Sequence, residues 1–131
     1  MALKLEQKHL SSVSRILNVV AGMSAYFLVK EDSDPKNVVA ATANSKVLGV
    51  LPVGYANAEV AQVITQGIAI VSIGAAVAVG DYLQSDANGE AIPKGSAATT
   101  HYNCFGRALS AATNAHEWVT VQLGYFDYYS A

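Results

Sequence analysis

Apolar and polar residues alternate along short segments of this chain, and turn residues separate those segments. Residues 25–29, 38–41 and 47–53 are rich in branched and aromatic side chains, a composition typical of β-strands. The polar segment 31–37 and the pair Asn44-Ser45 lie between them and predict a loop and a turn. This part of the chain therefore predicts three consecutive strands.

A glycine divides the next apolar segment, residues 60–73, and predicts a bulge or sharp bend at Gly67. Beyond that glycine, both faces of an extended strand carry apolar residues: Ile68 and Ile70 on one, and Ala69, Val71 and Ile73 on the other. Apolar residues on both faces predict a strand that is buried on both sides.

Residues 74–92 predict a β-hairpin, since Val77 and Val79 alternate with small residues and Asn88-Gly89 is a turn pair that tolerates positive φ angles. Further strands are predicted at residues 101–109 and 118–123. About nine short strands, with turn residues at intervals of about 8–12 positions, are typical of sandwiches and barrels. The predicted fold class is all-β, a compact antiparallel β-barrel or sandwich.

Two end segments flank the predicted barrel of residues 23–124: an N-terminal arm, residues 1–22, and an aromatic C-terminal extension, residues 125–131. In the arm, leucines spaced seven apart permit a short amphipathic helix, and the alternation from Leu3 to Glu6 permits an extended strand equally well. The aromatics of the extension suit a final edge strand, docking onto a neighbouring subunit, or stacking against a ligand. The candidate interface residues are Leu3, Leu5, Leu10, Arg15, Tyr125, Phe126, Tyr128 and Tyr129.

Charged residues are scarce in this chain, at 14% against about 25% in a typical soluble domain, while 52% of the residues are apolar. No lysine or arginine occurs between Lys46 and Lys94. We therefore expect other protein, including further copies of the chain, to cover much of the surface. The net charge of −2 disfavours nucleic acid as a partner, and no apolar run approaches the ~20 residues that span a membrane. A single cysteine is consistent with a reducing cytosol.

Residues able to support catalysis or metal binding are few. His101 and Cys104 are three positions apart, which places them on opposite faces of a strand, and the addition of His116 gives a spacing that matches no standard zinc site. The loop that begins at Asp86 has Ala97 where a calcium loop needs its closing carboxylate. We expect no enzyme activity, no metal and no cofactor.

Six short segments, in their order and spacing, resemble a family of small tailed-phage structural proteins, the capsid decoration or cement proteins. The segments are Val47-Leu48-Gly49-Val50, Gly67-Ile68-Ala69, Val79-Gly80-Asp81-Tyr82-Leu83, Asp86-Ala87-Asn88-Gly89-Glu90-Ala91, Gly106-Arg107-Ala108-Leu109 and Trp118-Val119-Thr120-Val121-Gln122-Leu123. The resemblance covers about residues 20–124. The chain departs from the family in its longer N-terminal segment and its aromatic tail.

The resemblance implies a small barrel-like protein, often trimeric, that sits on the outside of an icosahedral head and clamps neighbouring major capsid proteins. No catalytic residue carries over. We therefore expect a virion protein that is made in the host cytoplasm and decorates the outer capsid surface, with the major capsid protein and itself, as a homotrimer, as partners. Two other functions are considered: a tail-fibre or baseplate module, and a ligand-binding β-barrel, which needs polar groups that converge on an apolar pocket.

Overall fold

Nine β-strands and no helix make up the regular structure of residues 12–19, 22–57 and 59–130, which the computed structural model describes. No helix long and apolar enough to cross a membrane occurs in those residues. The predicted all-β class is confirmed. The strands are β1 (Ser12–Val19), β2 (Leu28–Glu31), β3 (Asn37–Ala40), β4 (Val47–Val50), β5 (Val60–Ser72), β6 (Tyr82–Ser85), β7 (Ala91–Pro93), β8 (Thr100–Ala108) and β9 (Trp118–Ser130).

The strands form one sheet that closes on itself at one end. Its order is β1-β3-β2-β4-β5-β9-β8-β6-β7, and β1 also pairs with β5. The strands β1, β3, β2, β4 and β5 therefore form a closed ring, and β9, β8, β6 and β7 continue from β5 as an open sheet. All pairs between these strands are antiparallel except β1 with β3, where Asn18 faces Asn37 and Val19 faces Val38.

The strand that belongs to both parts is β5, and it changes partners at Gly67. Up to Gly67 it pairs with β1, and at Ile64 with β4, whereas from Gly67 onward it pairs with β9. Gly67 has a φ angle of 95°, a conformation open to glycine at little cost. The sequence predicted a bend at this glycine, and the structure places it inside a single strand of 13 residues.

Two connections of the ring contain a residue in the left-handed backbone conformation. Asn44, in the predicted turn, has a φ angle of 50°. Its side chain also links the ring to β8 of the open sheet. Asn44 Nδ2 donates to the His101 carbonyl at 2.8 Å, and the Asn103 N–H donates to Asn44 Oδ1 at 2.8 Å. Tyr26 has a φ angle of 70°, which a strand does not adopt. The strand predicted from residue 25 therefore begins at Leu28.

Buried apolar side chains form two clusters that match the two parts of the sheet. Full burial of each large apolar side chain contributes ~1.5–3 kcal/mol, so these clusters are the main stabilising elements. The ring core consists of Val19, Val29, Val38, Leu51, Ala61 and Val63. The sheet core lies between the open sheet and strands β2 and β4, and consists of Leu28, Ala41, Val50, Ala69, Val71, Ile73, Val77, Leu83, Ala91, Phe105, Ala108, Val119, Val121 and Leu123.

The two predicted end segments are partly contained in strands. The predicted arm, residues 1–22, contains β1, and the boundary predicted after residue 124 falls inside β9. The last five residues of β9 pair with β8, from Phe126 opposite Cys104 to Ser130 opposite Thr100. This backbone arrangement corresponds to the strand alternative for the C-terminal segment.

We predict that Gly49→Ala weakens the joint between β4 and β5. A Cβ atom at Gly49 would meet the Ile64 carbonyl oxygen and would lie 2.8 Å from Val63 Cγ1. We expect the free energy of unfolding in urea to fall by about 1–3 kcal/mol, the usual cost of overpacking.

The matched control is Gly54→Ala, whose Cβ would approach no heavy atom closer than the Met23 carbonyl oxygen at 3.4 Å. We expect this variant to stay within about 0.5 kcal/mol of the parent protein. Equal losses in the two variants would contradict the described spacing of β4 and β5.

Candidate interaction surface

One row of side chains crosses four strands on the side of the open sheet opposite the sheet core. Ile68 of β5 faces Gln122 of β9, Gln122 faces Arg107 of β8, and Arg107 faces Tyr82 of β6. Residues directly opposite each other in antiparallel strands project to the same side of a sheet. All four are exposed.

A second row lies beside the first. Ile70 faces Thr120, and the Leu109 N–H donates to the Thr120 carbonyl at 2.8 Å. Trp118 begins β9 at the end of this surface and is 61% exposed. We call the surface the open face and define it as Ile68, Ile70, Tyr82, Arg107, Leu109, Trp118, Thr120 and Gln122.

The open face concentrates exposed apolar side chains. Eight large hydrophobic residues are exposed among the described residues, and five of them belong to this face: Ile68, Ile70, Tyr82, Leu109 and Trp118. Contiguous exposed apolar patches on small domains are typical of protein-binding surfaces. The aliphatic and aromatic composition of the face favours contact with protein.

The prediction that residues 68–73 are buried on both sides is wrong for one side. Ala69, Val71 and Ile73 pack in the sheet core, as the alternation predicted, but Ile68 is 52% exposed and Ile70 is 43% exposed. The reason is that the open sheet has packing elements on its inner side, while no described residue covers these two isoleucines. The sequence correctly marked this strand as apolar on both sides, and in the structure its second side is partly exposed.

A groove of about 340 Å³ adjoins the open face, and Tyr26 forms part of its wall. The Tyr26 carbonyl accepts a hydrogen bond from the Ser72 N–H at 2.9 Å, which holds the left-handed turn against β5. The Tyr26 ring meets the Trp118 ring edge to face, with centroids 4.7 Å apart. The turn thus supports Trp118 from one side. The groove is lined by Tyr26, Pro52, Ile64, Ile68, Ala69, Ile70 and Thr120.

A buried carboxylate fixes the loop that leads into Trp118. Glu90 is 1% exposed, and its Oε2 accepts a hydrogen bond from Ser72 Oγ at 2.6 Å and lies 2.9 Å from His116 Nδ1. The His116 N–H also donates to the Ile73 carbonyl at 2.7 Å. Because His116 is two residues before Trp118, these contacts fix the start of β9 and the position of the Trp118 indole ring.

The interface residues predicted from the sequence do not coincide with the open face. Leu3, Leu5 and Leu10 lie outside the described residues. Arg15 belongs to β1, opposite Val63. The aromatic residues of the C-terminal segment, Tyr125, Phe126, Tyr128 and Tyr129, belong to β9. The interface role of these eight residues stays a prediction.

The side chains considered for catalysis differ in burial and in their surroundings. Cys104 is buried and His101 is exposed on the same strand, while His116 lies beside Glu90 in the loop before β9. The described part of the chain contains no group of three or more His, Cys, Asp or Glu residues placed to hold a metal ion.

Comparison with known proteins gives a family and a structural relative. Residues 29–123, more than half of the chain, match the family model described as phage cement protein. The chain is also similar to the crystal structure of the head fiber gp8.5 N base of bacteriophage phi29, with a TM-score of 0.67 and 23% sequence identity over 86% of this chain and 94% of that one. At that identity, the similarity shows the fold alone. No curated protein matches the chain.

We predict that Glu90→Ala destabilises the fold, because it leaves Ser72 Oγ buried without its acceptor and opens a cavity. We expect the free energy of unfolding in urea to fall by about 2–4 kcal/mol. The control is Glu31→Ala, which removes an exposed carboxylate from β2 and should change that free energy by less than about 0.5 kcal/mol. If both variants lose the same stability, Glu90 does not anchor this region.

Proposed function

The chain belongs to the phage cement protein family, and from this premise we propose that it binds the outer surface of the capsid through its open face. A phage cement protein is a structural protein of the virion that decorates and stabilises the capsid. The partner in this proposal is the major capsid protein. The observation that carries the proposal is the exposed apolar surface of Ile68, Ile70 and Trp118 on the uncovered side of the sheet.

The physical basis of the proposal is the removal of this apolar surface from water. Burial of apolar area contributes about 25 cal/mol per Å², and exposed isoleucine and tryptophan side chains hold much of what this face offers. A sheet keeps its shape on binding, because its backbone hydrogen bonds are already made. The entropy cost of ordering the backbone on binding is therefore small compared with the free energy gained by apolar burial, which favours tight attachment of a small protein.

We propose further that the cement protein acts as a homotrimer. A capsid repeats the same surface many times, so linked copies bind with a raised effective concentration after the first has bound. The residues predicted at the two chain ends, Leu3, Leu5, Leu10, Arg15, Tyr125, Phe126, Tyr128 and Tyr129, supply the contacts between copies in this proposal. The low charge of the chain supports such self-association.

We also propose that the protein has no enzymatic activity. The support comes from positions of particular residues: Cys104 is buried, and Glu90 engages Nδ1 of His116. His101 and Cys104, the pair nearest in sequence, differ in exposure on one strand. Nucleophilic catalysis needs an accessible nucleophile beside an oriented base, and the burial of Cys104 limits the access of a substrate to its thiol.

We predict that Ile70→Lys weakens capsid binding by about 30-fold or more, because it places an ammonium group in the centre of the apolar surface. The measurement is cosedimentation of the purified protein with capsids that lack it. Val53→Lys makes a similar change at a residue that is 52% exposed outside the open face, and we expect it to stay within about threefold of the parent. Equal effects of the two lysines would show that capsids are bound elsewhere.

Sedimentation equilibrium tests the homotrimer. We predict a mass of three times the 13.7 kDa chain at micromolar concentration, because the residues at the two chain ends supply contacts between copies in this proposal. A mass of 13.7 kDa at every concentration would contradict the trimer and leave the capsid-binding proposal intact.

A further inference from the structure

Arg107 occupies the middle of the open face. It lies on β8 with Tyr82 of β6 opposite on one side and Gln122 of β9 opposite on the other, and Ile68 continues the same row. Its side chain is exposed. A guanidinium group therefore stands among the exposed aromatic and aliphatic side chains that a partner covers.

Arg107 is also the only charged residue of the open face as defined above. No carboxylate among the described side chains lies within ion-pair distance of Arg107, so Arg107 has no acidic partner within that set. A partner that covers the face removes water from the guanidinium. Burial of a charge without a counter-charge is strongly unfavourable, whereas a charge that meets a well-placed carboxylate keeps its hydrogen bonds.

We propose that Arg107 is a specificity-determining residue for the capsid and that it pairs with a carboxylate set within an apolar part of the major capsid protein. The planar guanidinium donates two parallel hydrogen bonds to a carboxylate, a geometry that lysine does not provide. Arginine, tryptophan and tyrosine are the residue types that most often dominate binding energy. The open face holds one of each: Arg107, Trp118 and Tyr82.

The chemistry of the face disfavours a second copy of this chain as its partner. In a two-fold symmetric contact, the open face would meet its own equivalent, and two Arg107 side chains would share a surface without any carboxylate. In a head-to-tail contact, an exposed carboxylate beside apolar residues is needed. Two exposed carboxylates adjoin exposed apolar residues, Glu59 beside Val60 and Glu117 beside Trp118. Both hold turns through backbone hydrogen bonds, Glu59 Oε1 from the Ala56 N–H at 2.6 Å and Glu117 Oε1 from the Asn114 N–H at 2.8 Å, and a second copy of Arg107 would compete with these bonds.

Charge variants at this position test the proposal, which rests on the proposed capsid binding through the open face. With capsids that lack the protein, we expect Arg107→Gln to weaken binding by about 30-fold, or about 2 kcal/mol, and Arg107→Glu to weaken it further. Lys46→Gln and Lys46→Glu make the same charge changes at an exposed residue outside the face and should stay within about threefold. Because Arg107 is exposed, all four variants should unfold at the temperature of the parent protein.

A cross-linking experiment identifies the carboxylate. Arg107→Lys keeps the positive charge and supplies an amine, which a carbodiimide joins to an adjacent carboxylate as an amide with loss of water. We expect mass spectrometry of particles decorated with this variant to find a peptide containing residue 107 joined to an aspartate or glutamate of the major capsid protein. The parent protein, with arginine at this position, is the control and should give no such peptide.

The outcomes separate this inference from the function on which it rests. If the parent protein does not bind the capsids, the proposed function fails, and the inference fails with it. If the parent binds and the Arg107 variants behave as the Lys46 variants do, the role of Arg107 is overturned and capsid binding stands. A cross-link from residue 107 to another copy of this chain overturns the capsid as partner of the face.

Discussion

Strand β5 is the element on which the rest of the structure depends, because it belongs to both parts of the sheet, the closed ring and the open sheet. Its first half closes the ring with β1 and β4, and its second half carries β9 and the open sheet. Its pairing partner changes at Gly67, which adopts a positive φ angle inside the strand. Both cores are attached to this single strand.

The same arrangement accounts for the uncovered side of the open sheet. The ring packs against one side only, so alternate residues of β5 and β9 either enter the sheet core or face outward. The outward positions carry Ile68, Ile70 and Trp118 where a monomeric domain would carry charges. In the function proposed above, the capsid is the second protein against which this side is buried.

Local sequence patterns predicted most of the strands and turns, because alternation, branched residues and turn chemistry act over a few residues. The turn at Asn44 and the resemblance to cement proteins were confirmed, and Gly67, where a bulge or bend was predicted, has a positive φ angle inside a continuous strand. Long-range pairing lay beyond such patterns. Nothing near β1 in the sequence indicates that it lies parallel to β3, and the exposure of Ile68 depends on which distant elements pack against each side of the sheet.

The burial of Cys104 has a consequence for the life of the particle outside the cell. A virion leaves the reducing cytosol, and thiols on its surface then become exposed to oxidants. Oxidation proceeds through the accessible thiolate, and Cys104 is only 1% exposed beneath the sheet. In the proposed coat of many copies, each Cys104 thiol is therefore shielded from oxidants and from the thiols of neighbouring copies, which disfavours disulfide links between subunits.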